Sequence, residues 1–293
     1  MLRLSSVAAA AALTVVASTS ASQAEILAGL TIQQNATQQI IRVDSATPGT
    51  LIASAIITGT TGNEAIADID VFPVNQTLVG IGATTGTLYN INPLTGAATV
   101  NVVPTSTIGT PQDIDFNPSA DRLRVASAGN ANYRVTPTGF NNAGLVAGQV
   151  TADGTYAFAA GDVNAAATPN LVGNAYTNSV DGAATTTLYS IDTGTNTLLT
   201  NTAGPAFSTL TTTGPLGFDI GSLVGFDISP TTGVAFLSNG NALYTVNLAN
   251  GATTASGTFF AFAAVQSLAV IPEPSSLALL GLGAVGLVRR RRA

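Results

Sequence analysis

Five short segments at nearly regular intervals alternate apolar with polar residues and then run into a turn. They are Ile40-Ile41-Arg42-Val43-Asp44, Leu88-Tyr89-Asn90-Ile91-Asn92, Asn132-Tyr133-Arg134-Val135-Thr136, Leu188-Tyr189-Ser190-Ile191-Asp192 and Leu243-Tyr244-Thr245-Val246-Asn247. Alternation with a period of two marks a strand with one buried face. The residues that follow, as in Pro93-Leu94-Thr95-Gly96 and Ala249-Asn250-Gly251, supply the backbone conformations of tight turns. Aligned on Ile41, Tyr89, Tyr133, Tyr189 and Tyr244, the copies are spaced by 48, 44, 56 and 55 residues. A four-stranded propeller blade takes about 40–50 residues, and each such unit must stack on neighbours to bury its apolar face.

A second element precedes the hairpin and keeps the same phase. Ile66–Pro73, Gln112–Pro118 and Gly225–Pro230 each end at a proline, which cannot donate to a strand ladder. Leu171–Thr177 is a divergent copy that follows an insertion around residues 153–167. The first hairpin lacks such a strand, but Gln266–Pro272 at the far end of the chain has its pattern. These observations predict an all-β fold, a propeller of five blades in which the C-terminal strand closes the N-terminal blade. Closure hides the edges that an open repeat would expose. An irregular β-solenoid or sandwich is the alternative.

The two ends stand apart from this repeat. Arg3, the apolar run Val7–Ala17 and the small residues Ser22 and Ala24 compose a secretory signal peptide over residues 1–24, with signal peptidase cutting between Ala24 and Glu25. The repeat domain then occupies residues 25–271. After it come Pro272-Glu273-Pro274, the apolar run Leu277–Val288 and Arg289, Arg290, Arg291 and Arg292. A 12-residue helix rises about 18 Å, short of the roughly 30 Å hydrocarbon core. Residues 272–293 are therefore expected to anchor the chain only transiently in the inner membrane, with the arginines held on the cytoplasmic side.

Pro272, Glu273, Pro274, the Gly-containing apolar segment and Arg289 to Arg292 together resemble the PEP-CTERM sorting signal. That resemblance implies a Gram-negative-type envelope, processing by an exosortase-type enzyme, and release or surface display alongside exopolysaccharide. The strings Asp115-Phe116-Asn117-Pro118, Asp121-Arg122-Leu123-Arg124-Val125, Ala159-Ala160-Gly161-Asp162-Val163-Asn164 and Ala175-Tyr176-Thr177-Asn178 resemble a family of secreted bacterial proteins known as domain of unknown function forty-three ninety-four. The family name implies no activity.

The chain contains no His and no Cys, and all nine of its basic residues are Arg. Histidine bases, cysteine nucleophiles, lysine Schiff bases and His/Cys metal sites are thereby excluded, leaving carboxylate, hydroxyl and guanidinium chemistry. Residues 25–271 carry fourteen acids against four arginines. A field of that sign repels nucleic acid.

Asp68 and Asp70, like Asp113 and Asp115, stand two apart on strands and project from one face. Paired carboxylates could hold a hard cation or perform acid/base hydrolysis. Inner-strand acids of a repeat protein can instead bond the amides of a neighbouring blade, with Arg122, Arg124 and Arg134 on the adjacent hairpin expected to neutralise them. The pairs are read as structural, and no catalytic or cofactor-binding residue is assigned. On that reading Asp115→Asn lowers stability before it alters any activity. Asp153, Asp162 and Asn164 flank the insertion and are the remaining candidates for calcium. Their spacing is not that of an EF-hand and suits Asx turns, so no metal is assigned. The function expected is that of a non-catalytic exported propeller binding a glycan, such as exopolysaccharide, or a matrix protein. An Asp- or metal-dependent hydrolase or lyase is one alternative, and a passive coat component another.

Overall fold

The computed structural model describes residues 24–34, 37–259 and 264–272. Residues 1–23, Glu273, Pro274 and Arg289 to Arg292, where the expected signal peptide and the sorting tail fall, lie outside the described residues.

The chain begins with β1 (Ile26–Thr31), β2 (Gln39–Asp44) and β3 (Leu51–Ile56). Blade 2 follows as β4 (Ile66–Phe72), β5 (Thr77–Gly82), β6 (Leu88–Ile91) and β7 (Ala98–Val102). Blade 3 is β8 (Pro111–Asn117), β9 (Arg122–Ser127), β10 (Ala131–Val135) and β11 (Val150–Thr155). The two-residue β12 (Ala157–Phe158) joins the outer edge of blade 4, which consists of β13 (Leu171–Tyr176), β14 (Leu188–Asp192), β15 (Thr197–Thr202) and β16 (Thr209–Pro215). Blade 5 is β17 (Val224–Ile228), β18 (Ala235–Asn239), β19 (Ala242–Val246) and β20 (Thr253–Thr258). Finally β21 (Val265–Ile271) takes the innermost place of blade 1, in the order β21-β1-β2-β3. The protein is a five-bladed β-propeller closed by its C-terminal strand. No described helix is long and apolar enough to cross a membrane.

The hairpin equivalence needs one correction. Ile41, Tyr89, Tyr133 and Tyr244 lie on the third strand of their blades, whereas Tyr189 lies on β14, the second strand of blade 4. Alternation reports that a residue is on a half-buried strand and carries no information on that strand's rank within the blade. The insertion also starts later than the spacing suggested, since Asp153 belongs to β11 of blade 3.

Inner strands are buried on both faces because each is sandwiched between two blades. Apolar clusters fill the gaps between successive blades: Ile69 and Leu78 meet Leu30 and Ala269 between blades 1 and 2, and Leu27 and Val270 meet Phe236 between blades 5 and 1. The gap between blades 3 and 4 differs. Its apolar cluster is the small set Ala126, Tyr156, Leu171, Leu199 and Leu210, because charged and polar side chains occupy much of that interface.

Candidate functional site

The inner strands carry a polar ladder around the propeller axis. Asp68 Oδ2 accepts the Ile114 N–H at 2.6 Å and Asp70 Oδ2 accepts that of Phe116 at 2.7 Å, both from β4 to β8. Asp113 Oδ2 accepts from the Asn174 side-chain amide at 2.5 Å and Asp115 Oδ1 from the Tyr176 N–H at 3.0 Å, from β8 to β13. Asp227 Oδ2 accepts the Val270 N–H at 2.6 Å, and Ser267 Oγ accepts that of Ile69 at 3.0 Å, which carries the pattern across the closure. The order of the bonds shows that successive inner strands run the same way. The ring thus has a leading end, where these strands begin, and a trailing end, where they finish.

At the trailing end three of these acids converge. One carboxylate oxygen from each of Asp70, Asp115 and Asp227 lies within 4.8 Å of the other two. A cavity of about 10 Å³ borders Asp70 and Asp227 together with Gln76, Ser179 and Pro272, room for roughly one water or ion. Burial pushes the carboxyls of Asp68 and Asp70 up to about 7. Burial also raises Asp113, Asp115 and Asp227 well above the carboxylate range, and neighbouring acids add to it, Asp68 at Asp113 and Asp70 at Asp115 and Asp227. Like charges held this close relax by sharing protons or by taking up a hard cation. Calcium prefers six to eight oxygens, of which three carboxylates supply only part.

The arginines do not serve this axis. Arg124, fully buried, meets Asp153 Oδ2 at 3.3 Å, and Arg134 pairs with Asp153 through both carboxylate oxygens at 2.6 and 2.8 Å. Arg124 also donates to Tyr176 Oη, Asn132 Oδ1 and the carbonyls of Pro205 and Ala206, which sit in blade 4's β15–β16 loop. Arg122 donates to Thr151 Oγ1 and to the carbonyls of Arg134 and Gln149. The expected neutralisation of Asp113 and Asp115 by Arg122, Arg124 and Arg134 is therefore corrected. Arg124 stands opposite Asp115 in the β8–β9 register, but its guanidinium is drawn outward to Asp153. Sequence spacing does not reveal β11 as the strand that supplies the counter-charge.

Asp153 is thus occupied as an ion-pair partner. Asp162 accepts the N–H of Asn164 at 2.8 Å and both the N–H and hydroxyl of Thr212 at 2.7 Å, while the Asn164 side chain donates to Thr212 Oγ1. These three residues hold the insertion onto blade 4, and the acids that come together lie elsewhere. Asp227 was not singled out from the sequence, yet a signal exists. Asp70-Val71-Phe72-Pro73, Asp115-Phe116-Asn117-Pro118 and Asp227-Ile228-Ser229-Pro230 all place Asp three residues before the strand-ending proline. In the same phase Ala269 precedes Pro272, so the first proline of the tail motif is also the closing strand's own terminator.

The geometry is that of a closed five-bladed propeller whose axis is filled by buried acids, with a sorting motif leaving from its closing strand. Residues 270–292 match the PEP-CTERM protein-sorting motif, and the protein is accordingly exported and sorted by an exosortase-type system. Residues 39–269 match DUF4394, a domain of unknown function, and the chain belongs to that family. No curated protein matches the sequence. Solved structures to which this chain is similar include an auxiliary nutrient binding protein from Bacteroides ovatus, at 13% identity and a TM-score of 0.42 over 80% of this chain and 50% of that one. This chain therefore spans half the length of that protein. A chain of a nidogen/laminin complex aligns at 12% identity and a TM-score of 0.42, over 85% of this chain and 98% of its own. A luciferin-regenerating enzyme aligns at 12% identity and 0.43, over 84% and 80%.

Proposed function

We propose that the mature chain, residues 25–271, is a non-catalytic extracytoplasmic propeller that binds a glycan or a matrix protein. It is parked in the inner membrane during sorting, then displayed on the cell surface or released into the extracellular matrix. The placement of the termini carries this reading. Ile26 stands opposite Ile271 in the β1–β21 ladder, and Pro272 borders the trailing-end cavity. A tail inserted in the membrane turns the trailing end towards it and presents the leading-end loops, such as 128–130, 193–196 and 240–241, to the outside. Loops held on a rigid ring are where propellers and other scaffolds place recognition.

The non-catalytic part of the reading is supported by the axial acids. Each of the five accepts a hydrogen bond from the next blade, and all are buried. A second reading, an Asp- and metal-dependent hydrolase or lyase, is favoured by the convergence of Asp70, Asp115 and Asp227. Screening the mature protein against polysaccharides and extracellular proteins, with and without calcium, separates them. Calcium-independent retention without turnover is expected. Calcium-dependent cleavage of a glycan moves the enzyme to first place, and no retention by any ligand leaves the coat role.

A further inference from the structure

Glu25, the residue that signal-peptide removal makes N-terminal, is built into the seam of the ring. Its N–H donates to Ser45 Oγ at 2.9 Å and its carbonyl accepts the Ser45 N–H at 2.8 Å, extending the β1–β2 ladder by one residue. Its side chain crosses to blade 5, where Oε1 accepts the hydroxyls of Ser229 at 2.6 Å and Thr232 at 2.9 Å. The side chain thereby ties the closing blade to the turn between β17 and β18. Glu25 is only 8% exposed, and its second oxygen, Oε2, is buried without a hydrogen-bond partner among the described residues. An unpaired buried carboxylate oxygen calls for a donor.

We infer that this oxygen is the seat of the α-ammonium created when the signal peptide is cut off, an inference that rests on cleavage between Ala24 and Glu25. Hydrolysis of that peptide bond consumes one water. Ala24 leaves with a new carboxylate, and the nitrogen of Glu25 becomes an amine that is protonated at neutral pH. One N–H stays on Ser45 Oγ. Two further N–H donors and a positive charge then lie within the same residue as Oε2. Space for the change exists, because Ala24 is exposed and lines an open groove of about 700 Å³ with Ser45, Val234 and Phe236.

The charges around the seat favour an incoming cation. Asp227 on β17 lies close enough for Glu25 to raise its carboxyl. On β2, Arg42 and Asp44 stand opposite Ala28 and Ile26, hence on the face of the sheet turned away from Glu25. β18, β21 and the turn 229–233 carry no charged residue. Removal of the signal peptide therefore strengthens the tie between blades 5 and 1, so that the ring tightens only in the exported, processed chain.

The absence of lysine makes the α-amine the one primary amine of the mature protein, so amine acetylation tests the seat selectively. The secreted protein, with its N-terminus established by intact mass, is melted before and after acetylation. Acetylation is expected to lower the midpoint by about 2–4 °C at pH 6.5. An ammonium paired in the folded state has a raised pKa. Its contribution is complete below the unfolded value of about 8 and is lost as pH rises through the folded value, so the two forms should melt alike in strong alkali. In Glu25→Ala the acetylation effect should vanish. Identical melting at pH 6.5, or an undiminished effect in Glu25→Ala, overturns the inference. A native N-terminus other than Glu25 overturns the cleavage site instead, and the same comparison on a chain begun at Glu25 still decides the seat.

Discussion

Arg134 and Asp153 form a two-point pair, Nε to Oδ2 at 2.6 Å and Nη2 to Oδ1 at 2.8 Å, across adjacent strands of blade 3. The same carboxylate receives the fully buried Arg124. Among the described residues Asp153 is the sole carboxylate in a salt bridge with either arginine, and it stands where the apolar packing between blades 3 and 4 is thinnest. Asp153→Ala should cost about 3–5 kcal/mol, because it leaves buried guanidinium charge unpaired. Urea denaturation measures this. A loss below about 1 kcal/mol would show that the pair is not what holds this interface. Any effect of calcium on melting should be the same in Asp153→Ala and Asp162→Ala as in the parent protein, as both carboxylates already have protein partners.

The axial acids make stability depend on pH in the unusual direction. With folded-state values raised to about 7 at Asp68 and Asp70, the folded ring binds more protons than the unfolded chain between about pH 4 and pH 7. Stability should therefore fall as pH rises through that window, and the melting midpoint should be higher at pH 5 than at pH 8. A flat or rising profile would contradict the buried cluster.

Asp115→Asn keeps an oxygen able to accept from Tyr176 while removing one of three crowded charges. With no arginine neutralising Asp115, the loss of stability expected from sequence is replaced by its opposite at pH 8. The variant should melt above the parent there and show a shallower decline from pH 5. Calcium that stabilises the parent at pH 8 and not the variant would mark the three carboxylates as a cation site.

Ring closure depends on Gly225. A Cβ at that position would collide with the backbone nitrogen of Leu268 on the closing strand, a clash that no side-chain rotation relieves. Gly225→Ala should destabilise by about 1–3 kcal/mol or more and promote association through the loosened edge of β21. Removal of residues 265–271 should do so more severely. Unchanged melting and monodispersity in either variant would show that β21 does not close the ring.

Processing has a direct readout. Intact mass of the secreted protein should begin at Glu25 and lack residues 277–293. Retention of that apolar segment on secreted material would defeat the sorting scheme.

The repeat was legible because strand alternation and strand-ending prolines are local. Ile66–Pro73, Gln112–Pro118 and Gly225–Pro230 announce inner strands without knowledge of what they pack on, and the orphaned pattern at Gln266–Pro272 discloses the closure. The tail motif was equally plain, being a linear signal. Alternation also placed Asp68, Asp70, Asp113 and Asp115 correctly on one face each. It could not place Tyr189 on the second strand of its blade, since strand rank is set by pairing partners.

Which charges meet was decided only by the tertiary structure. Asp153 lies 29 residues from Arg124 and meets it across the intervening strand β10. Asp70 and Asp227 come from blades 2 and 5 and converge because a closed ring brings all inner strands to one axis. Glu25 meets Ser229 across 204 residues of chain for the same reason. Local periodicity dictates which face of a strand a side chain takes; closure of the ring dictates what that face finds opposite it.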